Sequence, residues 1–226
     1  AGVVAGLLAA TLPAAAQDVL KIGAPVSISG KYVAYGVQAK NGIEYAIEVW
    51  KKVRGEKVAG RSIEVLFRDT QSNNATTVSI MNALIQTDKV DLIIGPDGSN
   101  VAAAAVPPWK KIETRPLWLA PGGSSDVIEK EVGNDPYYFH TYAWSYYYHE
   151  NNAKALKDSV GAGKKVAILY SDGAYGRAHI EDARKYMKDA GFDIVTEELL
   201  REGSADFGPT LIKVRARKPD ILYVLV

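Results

Sequence analysis

The chain has 226 residues, 47% hydrophobic and 23% charged, with a net charge of +1 and no long basic run. This composition is typical of a globular protein with a sizeable core and disfavours a nucleic-acid partner. The chain has no cysteine and its three histidines lack metal-binding spacing, so a thiol nucleophile and a thiolate zinc site are excluded, and we predict neither a metal nor a cofactor.

Residues 1–16 are apolar, rich in small side chains and uncharged, and Ala14-Ala15-Ala16 offers an A-x-A cleavage site before Gln17. This pattern is typical of the end of a secretory signal peptide. The alternative is a small buried helix. A membrane span is disfavoured because the apolar stretch is short and contains Pro13. We therefore predict an exported protein without a lipid anchor, since a lipid anchor would need a cysteine.

Apolar strands alternate with amphipathic helices along the rest of the chain. Strands are predicted at 18–26, 61–69, 90–95, 116–120, 137–142, 164–171, 192–199 and 220–226. Helices are predicted at 35–53, 73–88, 145–160, 175–191 and about 206–217. A further helix begins at 100, and we expect Pro107 and Pro108 to interrupt it. Strands separated by helices predict βαβ units, parallel sheets and an α/β fold, in which ligands bind beyond the carboxyl ends of the strands.

Two of these strands end in similar loops, LIIGPDGSN at 92–100 and WLAPGGSSD at 118–126. Ser99 and Ser124 each follow a strand and precede a helix, so we expect both at helix N-termini, where free N–H groups attract an anion. The alternative is that each serine only caps its helix. Their matching positions favour a shared carboxylate or phosphate site. The glycines that would allow the backbone to approach the ligand are Gly98, Gly122 and Gly123.

The segment 137–150 holds six of the 13 tyrosines. This density requires partners for several hydroxyl groups. A pocket wall and packing between two lobes explain Trp144, Tyr146 and Tyr147 equally well. Packing is favoured for Tyr137 and Tyr138. Enzyme motifs are missing: the sequence contains no G-x-S-x-G, no complete phosphate-binding loop and no G-x-G-x-x-G. We therefore predict a binding protein and not an enzyme.

Four motifs together resemble the type I periplasmic solute-binding proteins of ABC transporters, in particular the leucine/isoleucine/valine-binding group. They are IGAPVSISGKYVAYGVQAKNGIEYAIE, LIIGPDGS, LAPGGSSD and KKVAILYSDGAYGRA. The resemblance covers about 18–226 and implies two Rossmann-like lobes with parallel sheets joined by a hinge. It implies a first lobe at 17–137 and an incomplete second lobe at 138–226. It also implies a periplasmic monomer that delivers its ligand to a membrane permease.

The resemblance also implies roles for individual residues. A ligand carboxylate would bind at Ser99 and Ser124, and the carbonyl group of Gly122 would accept a hydrogen bond from an α-amino group. Tyr35 would cover the ligand from the first lobe, and Tyr175 would contact it from the second.

The chain departs from the family pattern in the second lobe. AWSYYYHE replaces a polar stretch, and the acidic residue that pairs with an α-ammonium group would lie beyond Val226. We expect a branched-chain-type amino acid as the ligand. The alternative ligand is an aromatic carboxylate stacked between Tyr35 and the tyrosines near 146–148. A ligand-sensing receptor module of the same fold is the alternative of another class.

Overall fold

The computed structural model describes residues 19–226, so the predicted signal peptide at 1–16 lies outside the described residues. The strands are β1 (Val19–Val26), β2 (Lys57–Val58), β3 (Arg61–Asp69), β4 (Leu92–Ile94), β5 (Leu117–Ala120), β6 (Tyr138–His140), β7 (Lys165–Ser171), β8 (Asp193–Leu200) and β9 (Ile221–Leu225). The helices are α1 (Val33–Arg54), α2 (Asn74–Asn82), α3 (Ser99–Lys110), α4 (Asp126–Val132), α5 (Ser145–Val160), α6 (Ala174–Asp189) and α7 (Gly208–Ala216), and a π-helical turn at Ala83–Thr87 extends α2. Within 19–226, no helix combines the length and the apolar character that a membrane crossing requires.

The strands form two separate sheets, which confirms the predicted α/β fold. The first sheet has the order β2-β3-β1-β4-β5-β6 and is parallel except for the antiparallel pair β2–β3. The second sheet has the order β8-β7-β9 and is parallel throughout. We call the first sheet with α1–α4 the first lobe and the second sheet with α5–α7 the second lobe.

Both sheets reverse their winding direction beside their first strand. The chain passes from β1 to β3 on one side and then returns to β4 on the other. The second sheet repeats this arrangement, with β8 and β9 on opposite sides of β7. Such reversal points open a crevice at the carboxyl ends of the strands, where ligands of open α/β sheets bind. The topology therefore predicts one crevice beyond β1 and β4 and another beyond β7 and β9.

Two local features differ from the sequence-based predictions. Tyr138–His140 hydrogen-bonds in parallel with β5, so the strand assigned to the beginning of the second lobe is an edge strand of the first sheet. Helix α3 continues to Lys110 instead of ending at Pro107 and Pro108. The prolines lie in its last turn, where the fully buried Trp109 donates its Nε1–H to the carbonyl oxygen of Pro116 at 2.8 Å and holds this turn in place.

A tryptophan cluster forms the centre of the first lobe. Trp109 and Trp118 are fully buried, and their ring centroids lie 5.3 Å apart at an interplanar angle of 68°. The Trp118 Nε1–H donates to the carbonyl oxygen of Gly95, in the loop that leads to α3. The Tyr138 ring packs edge-on against Trp118 at 5.1 Å. This packing confirms the predicted role of Tyr138 and fixes the loop after β4.

Each lobe brings the first turn of a helix onto the end of a strand through a glycine. A Cβ atom at Gly36 in α1 would lie 2.1 Å from the carbonyl oxygen of Ser27, just after β1. A Cβ atom at Gly176 in α6 would lie 2.2 Å from the carbonyl oxygen of Ser171, the last residue of β7. Only glycine allows such close approach between two backbones. The preceding residue in each lobe is a tyrosine, and the two glycines therefore place two tyrosines at equivalent positions.

We predict that Gly36→Ala destabilises the full-length protein by about 1–3 kcal/mol, because the added methyl group overpacks the contact with Ser27. The free energy of unfolding in urea is the measurement. Gly42→Ala in the same helix is the matched control: a Cβ atom there has no neighbour within 4 Å, so we expect a gain of about 0.5–1 kcal/mol from helix propensity. Equal effects of the two substitutions would contradict the proposed backbone contact.

Candidate functional site

A cavity of about 660 Å³ lies where the carboxyl ends of β1, β4, β5 and β7 meet. Its lining comes from both lobes: Lys31, Tyr32, Tyr35, Gln38, Ala39, Asp97, Gly98, Ser99, Pro121, Gly122, Gly123, Ser124, Tyr142, Tyr148, Ser171, Tyr175, Glu202 and Val226. This lining includes all of the sequence-predicted site residues except Tyr146. The reversal points of the two sheets thus open into one shared crevice.

The N-terminus of α3 faces this cavity. Gly98 is the N-cap residue and Ser99 is the first helical residue, so Ser99 does not cap the helix with its side chain. Within residues 19–226 the Ser99 hydroxyl makes no hydrogen bond, although Ser99 is only 5% exposed. The first N–H groups of a helix also lack partners and carry a partial positive charge. The hydroxyl and these amides together suit an anionic oxygen.

The second serine has a different environment. The N-cap of α4 is Ser125, whose hydroxyl accepts a hydrogen bond from the backbone N–H of Val127 at 3.3 Å. Ser124 is therefore not a helix cap, which corrects the prediction that it begins the helix. Its Oγ instead lies 2.7 Å from Nε2 of His179 in the second lobe. The Ser124 hydroxyl can make this contact because Ser125, and not Ser124, caps α4.

The glycines of the two loops allow these loops to pack against each other. A Cβ atom at Gly122 would lie 2.6 Å from the carbonyl oxygen of Asp97. At Gly123 the backbone φ is +86°, and a Cβ atom would lie 2.9 Å from that of Ala102. A Cβ atom at Gly98 would meet the ring of Tyr32 at 2.9 Å. Packing between the loops brings Ser99 and Ser124 to one end of the cavity.

Asp97 is an acidic residue at the same end of the cavity. Its Oδ1 accepts a hydrogen bond from the backbone N–H of Ser27 at 3.2 Å. Its Oδ2 is buried and has no hydrogen-bond partner among the described residues. Burial raises the pKa of the Asp97 carboxyl above its ordinary value. Sequence reasoning missed Asp97, although it lies between the glycines of the motif GPDGS.

Tyrosines from both lobes form much of the remaining lining. Tyr35, 65% exposed, belongs to α1, whereas Tyr175 belongs to α6 and stacks on the His179 ring with centroids 3.9 Å apart. Tyr142 and Tyr148 line the cavity beside it, with ring centroids 5.9 Å apart. Burial raises the pKa of Tyr148 and of Tyr175. These hydroxyls therefore remain protonated near neutral pH.

Tyr146 does not line the cavity, which corrects its predicted place in the site. Its ring lies 4.5 Å from that of Tyr147, and its hydroxyl donates to Oε1 of Glu129 at 3.2 Å. Helix α5 turns by about 100° per residue, so neighbouring tyrosines point to different sides. Tyr148, two residues later, faces the cavity. The helical phase therefore selects which tyrosine of the run lines the cavity.

Several polar contacts connect the lobes around the cavity. The Oδ1 of Asn100, next to Ser99, accepts a hydrogen bond from the N–H of Ala174 at the start of α6, at 2.5 Å. The Nζ of Lys31 lies 2.7 Å from Oε1 of Glu202. Ser124 contacts His179 as described above. The exposed ion pair contributes at most about 1 kcal/mol, so the buried contact of Ser124 is the stronger constraint.

The Ser124 contact continues into a chain of hydrogen bonds that passes through two buried histidines to the half-buried Tyr223. Nδ1 of His179 lies 2.9 Å from Nε2 of His149, and Nδ1 of His149 lies 2.9 Å from the Tyr223 hydroxyl. The Nδ2 of Asn152 donates to the same hydroxyl at 3.0 Å. Both histidines are 1% exposed. The sequence indicated no role for these histidines, because 30 residues separate them and only the packing of α5 on α6 brings them together.

Both histidines are neutral near pH 7. Burial lowers the pKa of His149 to about 4. Burial and the neighbouring His149 lower the pKa of His179 to about 3, against a smaller opposing effect of Asp126. The other titratable groups against the His179 ring are Tyr148 and Tyr175, which are uncharged. Each ring therefore has one N–H donor and one acceptor nitrogen.

Comparison with known proteins identifies the family. The family model described as "Periplasmic binding protein" matches residues 19–226. The chain belongs to this family. Within it, the chain is a type I periplasmic binding protein of the Leu/Ile/Val-binding group, as the sequence motifs predicted. The two α/β lobes and the crevice between them are thus consistent with membership of this family.

Individual relatives of this periplasmic binding protein show how much of the family length it spans. "Leu/Ile/Val-binding protein homolog 7" of Brucella melitensis is 24% identical over 229 residues, covering 97% of this chain and 54% of the relative. The chain therefore spans about half the length of the curated relatives that it matches.

Two solved structures resemble this periplasmic binding protein over most of its length. An ABC-transporter solute-binding protein from R. palustris, in complex with 4-hydroxybenzoate, matches with a TM-score of 0.79 and 25% identity, covering 92% of this chain and 54% of that one. The branched-chain amino acid binding protein LivJ from Streptococcus pneumoniae, in complex with isoleucine, matches with a TM-score of 0.79 and 26% identity, covering 91% and 56%. The two structures contain ligands of different classes.

We predict a pH dependence of stability from the two buried histidines. Their folded-state pKa values lie below the unfolded value of about 6.5, so the unfolded chain binds more protons and stability is lost as pH falls below about 6.5. Between pH 6 and pH 5 each histidine should reduce the free energy of unfolding by up to about 1.4 kcal/mol.

The measurement is urea unfolding of the full-length protein at both pH values. The wild-type protein should lose free energy of unfolding between pH 6 and pH 5. His149→Gln should reduce this loss by up to about 1.4 kcal/mol, because glutamine does not titrate. Ser79→Ala, at an exposed position on α2, should leave the loss unchanged. An unaltered pH dependence in His149→Gln would show that His149 protonates normally in the folded state.

Proposed function

We propose that the chain is the ligand-binding part of the solute-binding component of an ABC transporter, located in the periplasm. It binds a small carboxylate in the cavity between the lobes and delivers it, as a monomer, to a membrane permease without chemical reaction. The observation that carries this proposal is the pair Ser99 and Ser124 in one cavity, beside the free N-terminus of α3. The family membership supports the transport role.

A carboxylate fits the serine end of the cavity. Charge-assisted hydrogen bonds from hydroxyl and backbone N–H groups are stronger than those between neutral groups. The Ser99 hydroxyl has no partner within the described residues and needs no rearrangement before it can donate. The N-terminus of α3 adds a favourable partial positive charge. The low exposure of Ser99 and Ser124 strengthens these interactions, because little water competes for them.

We propose an aromatic carboxylate as the ligand class, in place of the amino acid favoured by the sequence motifs. The reason is the tyrosine-rich lining from both lobes, including Tyr35, Tyr142, Tyr148 and Tyr175. An aromatic ring between such side chains gains about 0.5–1.5 kcal/mol per stacked pair beyond burial. The relative in complex with 4-hydroxybenzoate supports this class.

A branched-chain amino acid is the second candidate, and one observation favours it. The buried Oδ2 of Asp97 has no hydrogen-bond partner among residues 19–226 and belongs to a residue that lines the cavity. An α-ammonium group would satisfy this oxygen and offset its burial. The relative in complex with isoleucine supports this class.

We predict that Ser99→Ala in the full-length protein weakens carboxylate binding by about 1.5–3 kcal/mol, the usual range for a hydrogen bond to a charged group. Isothermal titration calorimetry with the tighter-binding of 4-hydroxybenzoate and isoleucine measures the effect. Ser79→Ala, far from the cavity on α2, should bind like the wild-type protein. If Ser99→Ala has unchanged affinity, Ser99 does not bind the carboxylate.

The two ligand classes can be separated with Asp97→Asn. A ligand that binds only the folded protein raises its melting temperature, so thermal shift with 4-hydroxybenzoate and isoleucine reports the preferred class. If the ligand is aromatic, we expect a shift with 4-hydroxybenzoate that Asp97→Asn leaves intact or increases, because a negative charge near the carboxylate is removed. A shift with isoleucine alone would instead assign an amino acid as the ligand. In that case Asp97→Asn should weaken isoleucine binding by about 1.5–3 kcal/mol.

A further inference from the structure

We infer that the hydrogen-bonded chain Tyr223–His149–His179 sets the direction of the Ser124 hydroxyl, so that its proton points into the cavity and Ser124 acts as a donor to the ligand. This inference rests on the proposed carboxylate function, since it specifies how one side chain of that site is prepared. His149, His179 and Tyr223 would be positioning residues. None of them is among the residues that line the cavity.

The chain can run in only two directions. Each neutral imidazole donates from one nitrogen and accepts at the other. In one direction Ser124 donates to Nε2 of His179. The Nδ1–H of His179 then donates to Nε2 of His149, and the Nδ1–H of His149 donates to the Tyr223 oxygen. In the other direction the Tyr223 hydroxyl donates to Nδ1 of His149, whose Nε2–H donates to Nδ1 of His179. The Nε2–H of His179 then donates to Ser124.

The end of the chain at Tyr223 selects the second direction. The Nδ2 of Asn152 donates to the Tyr223 oxygen at 3.0 Å. With that oxygen already accepting one hydrogen bond, the Tyr223 proton remains for the neighbouring acceptor, which is Nδ1 of His149 at 2.9 Å. A second donation to the phenolic oxygen from His149 would leave the proton of the half-buried Tyr223 without a hydrogen-bond partner among residues 19–226. Burial of such a donor is unfavourable.

The consequence appears at Ser124. In the second direction the Ser124 oxygen accepts from His179 at 2.7 Å, and its own proton is free to donate. A carboxylate offers only acceptors. In the first direction the Ser124 oxygen would present only lone pairs to the cavity, which would repel a carboxylate. The residues of the second lobe therefore determine whether a serine of the first lobe can bind an acid.

The first test needs no ligand. Long-range ¹H–¹⁵N NMR spectra of the labelled full-length protein report which ring nitrogen of each histidine carries the proton. We expect both His149 and His179 to carry it on Nε2, with the signals assigned by His149→Gln and His179→Gln. Nδ1-protonated rings in the wild-type protein would overturn the inference, whether or not any ligand binds. If the rings are Nε2-protonated and neither probe binds, the transport proposal fails while the direction of the chain stands.

The second test compares two substitutions of His149. In His149→Gln the side-chain amide can still donate to Nδ1 of His179 and maintain the direction. In His149→Glu the carboxylate only accepts, so His179 must donate from Nδ1 and accept the Ser124 proton at Nε2. We expect His149→Glu to bind 4-hydroxybenzoate roughly 10- to 100-fold more weakly than His149→Gln, the fold-change for one hydrogen bond to a charged group.

A binding ratio separates this effect from a general disturbance of the fold. 4-Hydroxybenzamide can both donate and accept at its amide end, so His149→Glu should weaken the acid more than the amide. Equal losses of affinity for the two probes would overturn the inference.

If His149→Glu does not fold, Tyr223→Phe replaces it. This variant lacks the hydroxyl donor of Tyr223, so the NMR spectra should show a mixture of Nδ1-protonated and Nε2-protonated rings. Tyr186→Phe is the matched control, since Tyr186 packs against the same core and its hydroxyl makes no hydrogen bond within residues 19–226. Unchanged ring protonation in Tyr223→Phe would also overturn the inference.

Discussion

The close approach of a helix to the end of a parallel strand, made possible by a glycine, determines where the cavity walls stand. Gly36 and Gly176 each bring the backbone of a first helical turn into contact with a strand-end carbonyl group. Neither contact tolerates a Cβ atom, because the carbonyl oxygen occupies its position. The tyrosine before each glycine is consequently fixed at the crevice, one from each lobe. The same type of contact thus occurs once in each lobe.

The polar groups of the cavity are divided between its two lobes. The first lobe provides the N-terminus of α3, Ser99, Ser124 and the acidic Asp97. The second lobe provides mainly tyrosines, and the pKa of Tyr148 and of Tyr175 is raised by burial. An anionic group would therefore be recognised by the first lobe and an apolar or aromatic body by both. A ligand in this cavity would contact residues of both lobes.

Neutral histidines are well suited to connect the two lobes. An ion pair at Ser124 would bring a charge into the carboxylate site, and an apolar residue would leave the serine without a defined direction. The His149–His179 pair transmits direction without net charge, because burial keeps the pKa of both rings well below neutrality. The same burial makes the connection sensitive to acid, since protonation of either ring removes its acceptor nitrogen. Stability and site geometry therefore depend on the same two side chains.

The sequence by itself determined the α/β alternation, the bounds of most elements and the two serine loops, because hydrophobic period and small-residue loops are local signals. Its motifs also indicated the family and the tyrosines before Gly36 and Gly176. Only the tertiary structure decided that Ser125 caps α4 and that Tyr148 faces the cavity instead of Tyr146, since these depend on loop packing and helical phase. It alone brought Asp97 to the cavity and joined His149, His179 and Tyr223. Those residues are distant in sequence, and no periodic pattern records a contact that only the packing of separate elements creates.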